Sequence, residues 1–169
     1  MTELRTDRLT LRAAREGERD ALFRIYSNAS AMRYWDSPPH RTPADTDSVF
    51  SKLCQTGYRR YFVWENSGEI IGAGGIHTSE ELGFILHPDH WGKGLAREGA
   101  QAVIEHFWKT SDSSRITAES DPCNLASVGL LTRLGFRVTG FLRDAICVAG
   151  HWSDSVYFEL PRPLPNDRG

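Results

Sequence analysis

The segment His90-Trp91-Gly92-Lys93-Gly94-Leu95-Ala96 carries the clearest chemical signal in the chain. Gly92 and Gly94 let the backbone come close to a ligand because no Cβ intervenes. They stand between a strand and an apolar stripe of helical spacing, hence at a helix start. Unpaired amides and the positive end of the helix dipole suit such a place to an anion. Lys93 adds a mobile cation. A flexible strand-to-helix turn is the plainer account of two glycines and stays open at this point. Two rival phosphate motifs fail on spacing. A dinucleotide fingerprint needs a third glycine where Arg97 stands, and no G-x-x-x-x-G-K-[ST] string exists.

Other reactive residue types are less organised. His87 and His90 stand three apart, but Pro88 between them argues against ligation from one helix face. No third ligand is near, so no metal is expected. The chain lacks a G-x-S-x-G elbow, which leaves a hydrolase triad without a nucleophile position. Cys54, Cys123 and Cys147 are widely spaced and form no C-x-x-C pair. They indicate neither a disulfide framework nor a zinc ribbon, and a reducing cytoplasm is the natural setting. Cys123 beside Asn124 invites a covalent relay through its thiol, although a small buried cysteine is the simpler account. Tyr26, Tyr34, Trp35, Tyr58 and Tyr61 are placed to line an acceptor groove or merely to fill a core.

The elements that must position these groups read as follows. Leu9-Thr10-Leu11-Arg12 alternates as a half-buried strand, and Glu16 to Ser27 shows helical spacing at Ala21, Leu22, Ile25 and Tyr26. A second helical piece is expected around Met32, and a third opens with Thr42 as cap and Pro43 behind it. Tyr61 to Trp64, a turn at Asn66-Ser67-Gly68 and Ile70-Ile71 form a hairpin signal. Leu82 to Leu86 is a further strand. After the glycines, Ala96, Ala100, Val103, Ile104 and Phe107 make one apolar stripe. Ser114 to Ser120 is strand-like, and Asn124 is placed to cap a helix that Gly135 ends. Phe136 to Leu142 and Trp152 to Leu160 close the chain as strands. The order predicts an α+β domain over residues 1–160, with a mixed sheet of about seven strands and helices on both faces. Residues 161–169 read as a C-terminal tail.

Composition sets outer limits. The 169 residues are 40% hydrophobic and 25% charged, an ordinary globular balance for one domain. A formal charge of −2 offers no basic field for nucleic acid. Neither a signal peptide nor an apolar stretch of membrane-spanning length is present.

Glu81 to Glu98, with Gly83 and the glycine loop inside it, resembles the acetyl-CoA-binding segment of the GNAT superfamily of N-acetyltransferases. The closest flavour is the branch that acetylates N-termini of ribosomal proteins. Thr6-Asp7-Arg8-Leu9-Thr10-Leu11-Arg12, Asn124-Leu125-Ala126-Ser127, Leu134-Gly135-Phe136 and Gly150-His151-Trp152-Ser153-Asp154 agree in the same order. Trp91 stands where the superfamily often has Gln or Arg, and Trp-Gly-x-Gly is familiar in this branch.

The resemblance implies a GNAT-type acyl-CoA N-acyltransferase fold and acetyl transfer to a primary amine of a protein N-terminus or a small molecule. Pantetheine would pair with the main chain of Phe84, Ile85 and Leu86, and the pyrophosphate would lie on Gly92, Lys93, Gly94, Leu95, Ala96 and Arg97. Asn124 would reach the pantetheine arm. An amide near Ile85 or Leu86 would polarise the thioester carbonyl. The tyrosine that many members carry as acid seven residues after the asparagine is Leu131 here. Ser127 is the substitute that the branch suggests, with support of the helix cap as its plainer role. Glu119 and Glu81 are the candidate bases, and His77 is a weaker one. Two other readings remain: a silent acyl-CoA sensor, and an antibiotic- or polyamine-modifying enzyme whose sign would be an acidic acceptor cleft. Homodimers are common among similar proteins.

Overall fold

A computed structural model describes residues 2–55 and 60–164. Tyr58, one of the aromatic candidates, lies outside the described residues.

Strands β1 (Leu4–Arg5), β2 (Thr10–Arg12), β3 (Tyr61–Asn66), β4 (Glu69–Ile76) and β5 (Leu82–Leu86) form one antiparallel sheet in chain order. A second sheet contains β6 (Arg115–Ser120), β7 (Arg137–Val148) and β8 (His151–Pro161) in the order β6-β8-β7. Among the described residues the two sheets meet through a single parallel bridge, Glu81 with Thr117, beside a Thr117 N–H to Glu80 carbonyl bond of 2.9 Å. The α+β class therefore holds, with eight strands in two sheets among the described residues where about seven in one mixed sheet were expected. The additional strand is β1, whose two residues sit among charges that hide any alternation.

Helices α1 (Arg19–Tyr26), α2 (Asp47–Cys54), α3 (Leu95–Thr110) and α4 (Leu125–Arg133) complete the fold. Around Met32 the chain makes turns instead of the expected helix, although Met32 itself is buried. Thr42 opens a single 3-10 turn, Pro43–Thr46, whose Asp45 carboxylate accepts the Arg41 and Thr42 amides before α2 begins.

Each sheet face carries its own core. On one side α3 packs with Leu82, Phe84 and Leu86, and with Ile116, Ala118, Val156 and Phe158 of the second sheet. On the other side Leu22, Ile25 and Tyr26 of α1 and Leu53 of α2 pack on Val63, Ala73 and Ile85. Gly99 allows α3 to lie flat on the sheet, since a Cβ there would stand 2.6 Å from the Trp64 ring. The buried Trp64 indole donates to the Gly74 carbonyl at 3.2 Å, which satisfies its one polar atom. Arg12 is buried between Glu18 and Glu65, with Nη2 2.7 Å from Glu18 Oε1 and Nε donating to Glu65 at 2.9 Å. This pairing ties β2 to β3 and to the start of α1, and it leaves no buried charge unpaired. At the other end β8 runs through Pro161. Arg162 then donates to the Ser113 and Trp108 carbonyls at 2.7 and 3.0 Å.

Candidate functional site

The site is the gap that opens between β5 and β6 beyond their one bridge. Hydrogen bonds from His77 N–H to the Glu81 carbonyl (2.9 Å) and from His87 N–H to the Ile71 carbonyl (2.8 Å) fix the pairing of β4 with β5. With the register Ala73 to Ile85 and Gly75 to Gly83 between them, odd-numbered residues of β5 direct their main-chain groups at β4. Phe84 and Leu86 direct theirs into the gap. The three-residue stretch Phe84-Ile85-Leu86 is therefore not uniform. The amide and carbonyl of Ile85 belong to the β4 ladder and its side chain to the core, which leaves the Phe84 main chain and the Leu86 amide as the free edge.

Just beyond this edge, the loop fulfils the condition for an anion site. Gly92 and Gly94 have φ of +70° and +78°, left-handed values that side chains resist, and Gly94 is the N-cap of α3. Among the described residues, no hydrogen bond engages the amides from Gly92 to Arg97, and the first committed amide of the helix is Glu98, bonded to the Gly94 carbonyl at 3.1 Å. Lys93 is less mobile than its type suggests, for its Nζ donates to the Asp89 carbonyl at 2.8 Å. Trp91 is half-exposed and donates its indole N–H to the Leu86 carbonyl at 2.9 Å. The unusual residue at this position is thus a brace between strand and loop.

Across the gap stands the start of α4. Asn124 Oδ1 accepts the Ser127 amide at 3.2 Å, a side-chain cap that uses the serine's main chain only. Among the described residues the Ser127 hydroxyl makes no hydrogen bond. Tyr34, from the segment after α1, reaches across to the Cys123 carbonyl at 3.3 Å. Cys123 is exposed, which corrects the expectation of a small buried cysteine, and the charge of Asp121 beside it pushes its thiol pKa up. A raised pKa works against a thiolate relay. Leu131 is buried in the core, so no group at that position can serve as acid.

The carboxylates lie at the other end of the gap, beside the bridge. By alternation, Glu81 and Gly83 share the face of Ile85, which is the α1–α2 side of the sheet. On β6, Ile116, Ala118 and Ser120 are buried, so Glu119 turns to that same side. The fully buried Ser155 of β8 donates its hydroxyl to Glu119 Oε1. Glu81 is half-buried, and its pKa is raised, first by burial and then by the charges of Glu119 and Asp36. The missing side chain of Gly83 keeps the wall open: a Cβ there would sit 3.4 Å from His77 Nε2 and 3.8 Å from the Tyr61 hydroxyl. His77 and Tyr61 are in ring contact at 4.7 Å. Asp36 and Ser155 had no signal in the sequence, because a loop aspartate and a strand serine look like many others until the fold brings them beside Glu81 and Glu119.

Among the described residues no helix is long and apolar enough to cross a membrane, and no group of three His, Cys, Asp or Glu is placed to hold a metal.

Comparison with known proteins agrees with this geometry. Residues 8–137 match the acetyltransferase (GNAT) domain family. The uncharacterised N-acetyltransferase p20 of Bacillus licheniformis is 30% identical over 171 residues, 95% of this chain and 96% of that one. The ribosomal protein uS5-alanine N-acetyltransferase of Escherichia coli is 29% identical, over 95% of this chain and 91% of its own. The spermidine N(1)-acetyltransferase of Vibrio cholerae is 26% identical, over 86% and 88%. A GNAT-family acetyltransferase structure from Bacillus anthracis superposes with a TM-score of 0.84 over 95% of this chain and 98% of that one, at 24% identity. The free strand edge, the uncommitted amides and the family match point the same way: this chain belongs to the GNAT family and is an N-acetyltransferase.

Proposed function

We propose that the protein moves an acetyl group from acetyl-CoA to a primary amine on a polycationic small molecule of the polyamine type. The donor's pyrophosphate lies on the amides from Gly92 to Arg97. Its pantetheine arm runs along the free edge of β5 at Phe84 and Leu86, with Asn124 opposite. One observation carries the reading: the uncommitted amides and the paired carboxylates open on the two ends of one gap.

The chemistry follows from that placement. Glu81, poised by its raised pKa, takes a proton from the bound ammonium through a water, and the freed nitrogen lone pair attacks the thioester carbonyl carbon. The Leu86 amide, which points into the gap, stabilises the charge that develops on the carbonyl oxygen. As the C–S bond breaks, its electron pair passes to sulfur, which takes a proton from the Ser127 hydroxyl. The second amine proton replaces the one that the serine gave. Glu119, held in place by Ser155, attracts the incoming ammonium.

The carboxylates Glu81, Glu119 and Asp36 on the acceptor side favour a polycation. The spermidine-acetylating relative agrees in acceptor type. A protein N-terminus is the second reading, supported by the relative that acetylates a ribosomal protein. Thiol release from acetyl-CoA, measured across polyamines, aminoglycosides and N-terminal peptides, separates them. A higher kcat/KM for the polyamines is expected. Preference for a peptide would reassign the acceptor, and CoA binding without thiol release on any amine would indicate a sensor.

A further inference from the structure

The Thr6-Asp7-Arg8 turn between β1 and β2 has no part in the reaction described above, yet it is fastened to the phosphate loop from about ninety positions away in sequence. Arg8 donates from Nε to Glu98 Oε2 at 2.7 Å and from Nη1 to the Lys93 carbonyl at 2.8 Å, and its Nη2 pairs with Glu98 Oε2 at 2.7 Å. The Arg8 amide and the Thr6 hydroxyl both donate to Glu98 Oε1, at 2.8 and 2.6 Å. The Arg8 Nη2 atom also stands 3.4 Å from where a Cβ of Gly94 would be, against the bend of the uncommitted amides. Donors remain on both terminal nitrogens after these contacts.

Glu98 explains why such a fastening is needed. It sits in the first turn of α3, where an acidic side chain competes with any anion for the positive end of the helix. Burial opposes its ionisation, but the bonds from Thr6 and Arg8 outweigh burial and hold its pKa below the usual carboxylate range. It is therefore a permanent negative charge one turn from the pyrophosphate amides. Lys93 is drawn toward the Asp89 carbonyl. Arg8 is a cation held directly beside Gly94, and it also holds the Lys93 carbonyl in place beside the amides.

We propose that Arg8 is a positioning residue for the donor's diphosphate. It cancels the charge of Glu98, fixes the Lys93 carbonyl and supplies a guanidinium beside Gly94. This rests on the assignment of the pyrophosphate to the Gly92–Arg97 amides. The role is separable from general support of the fold by use of two donors, acetyl-CoA and acetyl-pantetheine, which shares the thioester but has no diphosphate.

Arg8→Ala should raise the KM for acetyl-CoA about ten-fold or more, with kcat changed less than about two-fold, as expected for a lost charge-assisted contact. The kcat/KM for acetyl-pantetheine should stay within about two-fold of the unmodified enzyme. Arg8→Lys keeps a charge without the paired geometry and should fall between the two. Adding Glu98→Gln to Arg8→Ala should recover part of the acetyl-CoA affinity, because it removes the uncancelled charge. An unchanged KM for acetyl-CoA would overturn the proposal, as would equal losses with both donors. If Arg8→Ala does not fold, Arg8→Lys decides by the same two-donor ratio. Failure of the unmodified protein to bind CoA would instead count against the donor site itself.

Discussion

The two ends of the gap are built in different ways. The donor end is made almost wholly by one continuous stretch, Leu82 to Arg97, in which a strand, a braced loop and a helix start follow one another. Its chemistry is main-chain chemistry, and the side chains that matter shape or brace it: Trp91 on Leu86, Lys93 on Asp89, Arg8 on Glu98. The acceptor end is assembled from β5, β6, β8 and the segment after α1, and its chemistry is carried by side chains. A site written in one contiguous run keeps its geometry through local rules. A site gathered from four elements depends on the packing of two sheets at a single bridge, so acceptor preference can change while donor recognition persists.

Substitutions should separate these ends. The largest effect is expected for Gly94→Val, which places a β-branched residue at a φ of +78° and a side chain over the amides. CoA affinity should fall by about 100-fold by titration calorimetry. Affinity within a few-fold of the parent would mean that the loop does not hold the donor. At the acceptor end, Glu119→Gln should lower kcat/KM for a polycationic amine by about 30-fold while CoA binding stays the same.

The pH profile sharpens this second case. As the proposed base, Glu81 works only when ionised, and its pKa is raised by burial, Glu119 and Asp36 in that order. Activity must therefore fall as pH drops through that raised value. Removal of the Glu119 charge lowers it, so the acid limb should move to lower pH in Glu119→Gln. An acid limb that does not move would show that the two carboxylates are not coupled during turnover. The smallest effect is expected for Ser127→Ala. Its cap bond is made by the main chain and survives, so kcat should fall by about ten-fold with no change in KM for acetyl-CoA. An unaltered kcat would confine Ser127 to the helix cap.

The same contrast explains what the sequence discloses. The α3 stripe, the Asn124 cap and the left-handed glycines follow from local rules, and each is found where spacing places it. The division between Ile85 and its neighbours is not visible in composition, because it depends on which ladder partner each amide meets. The split of one expected sheet into two is hidden for a similar reason: it arises where Glu81 and Thr117 make their only bridge, a contact between residues far apart in the chain. The turns around Met32 look helical in the sequence because burial of one apolar residue mimics a helical stripe. Arg8 lies in a motif whose contact with Glu98, ninety residues on, no local rule discloses.

The central claim is that donor and acceptor enter one gap from opposite faces of the sheet. A crystal structure with CoA and spermidine bound tests it most directly. The account predicts the diphosphate on the amides from Gly92 to Arg97, the pantetheine arm against Phe84 and Leu86, and an amine of spermidine between Glu81 and Glu119. CoA bound away from the β5 edge, or spermidine seated on the α3 side of the sheet, would contradict it.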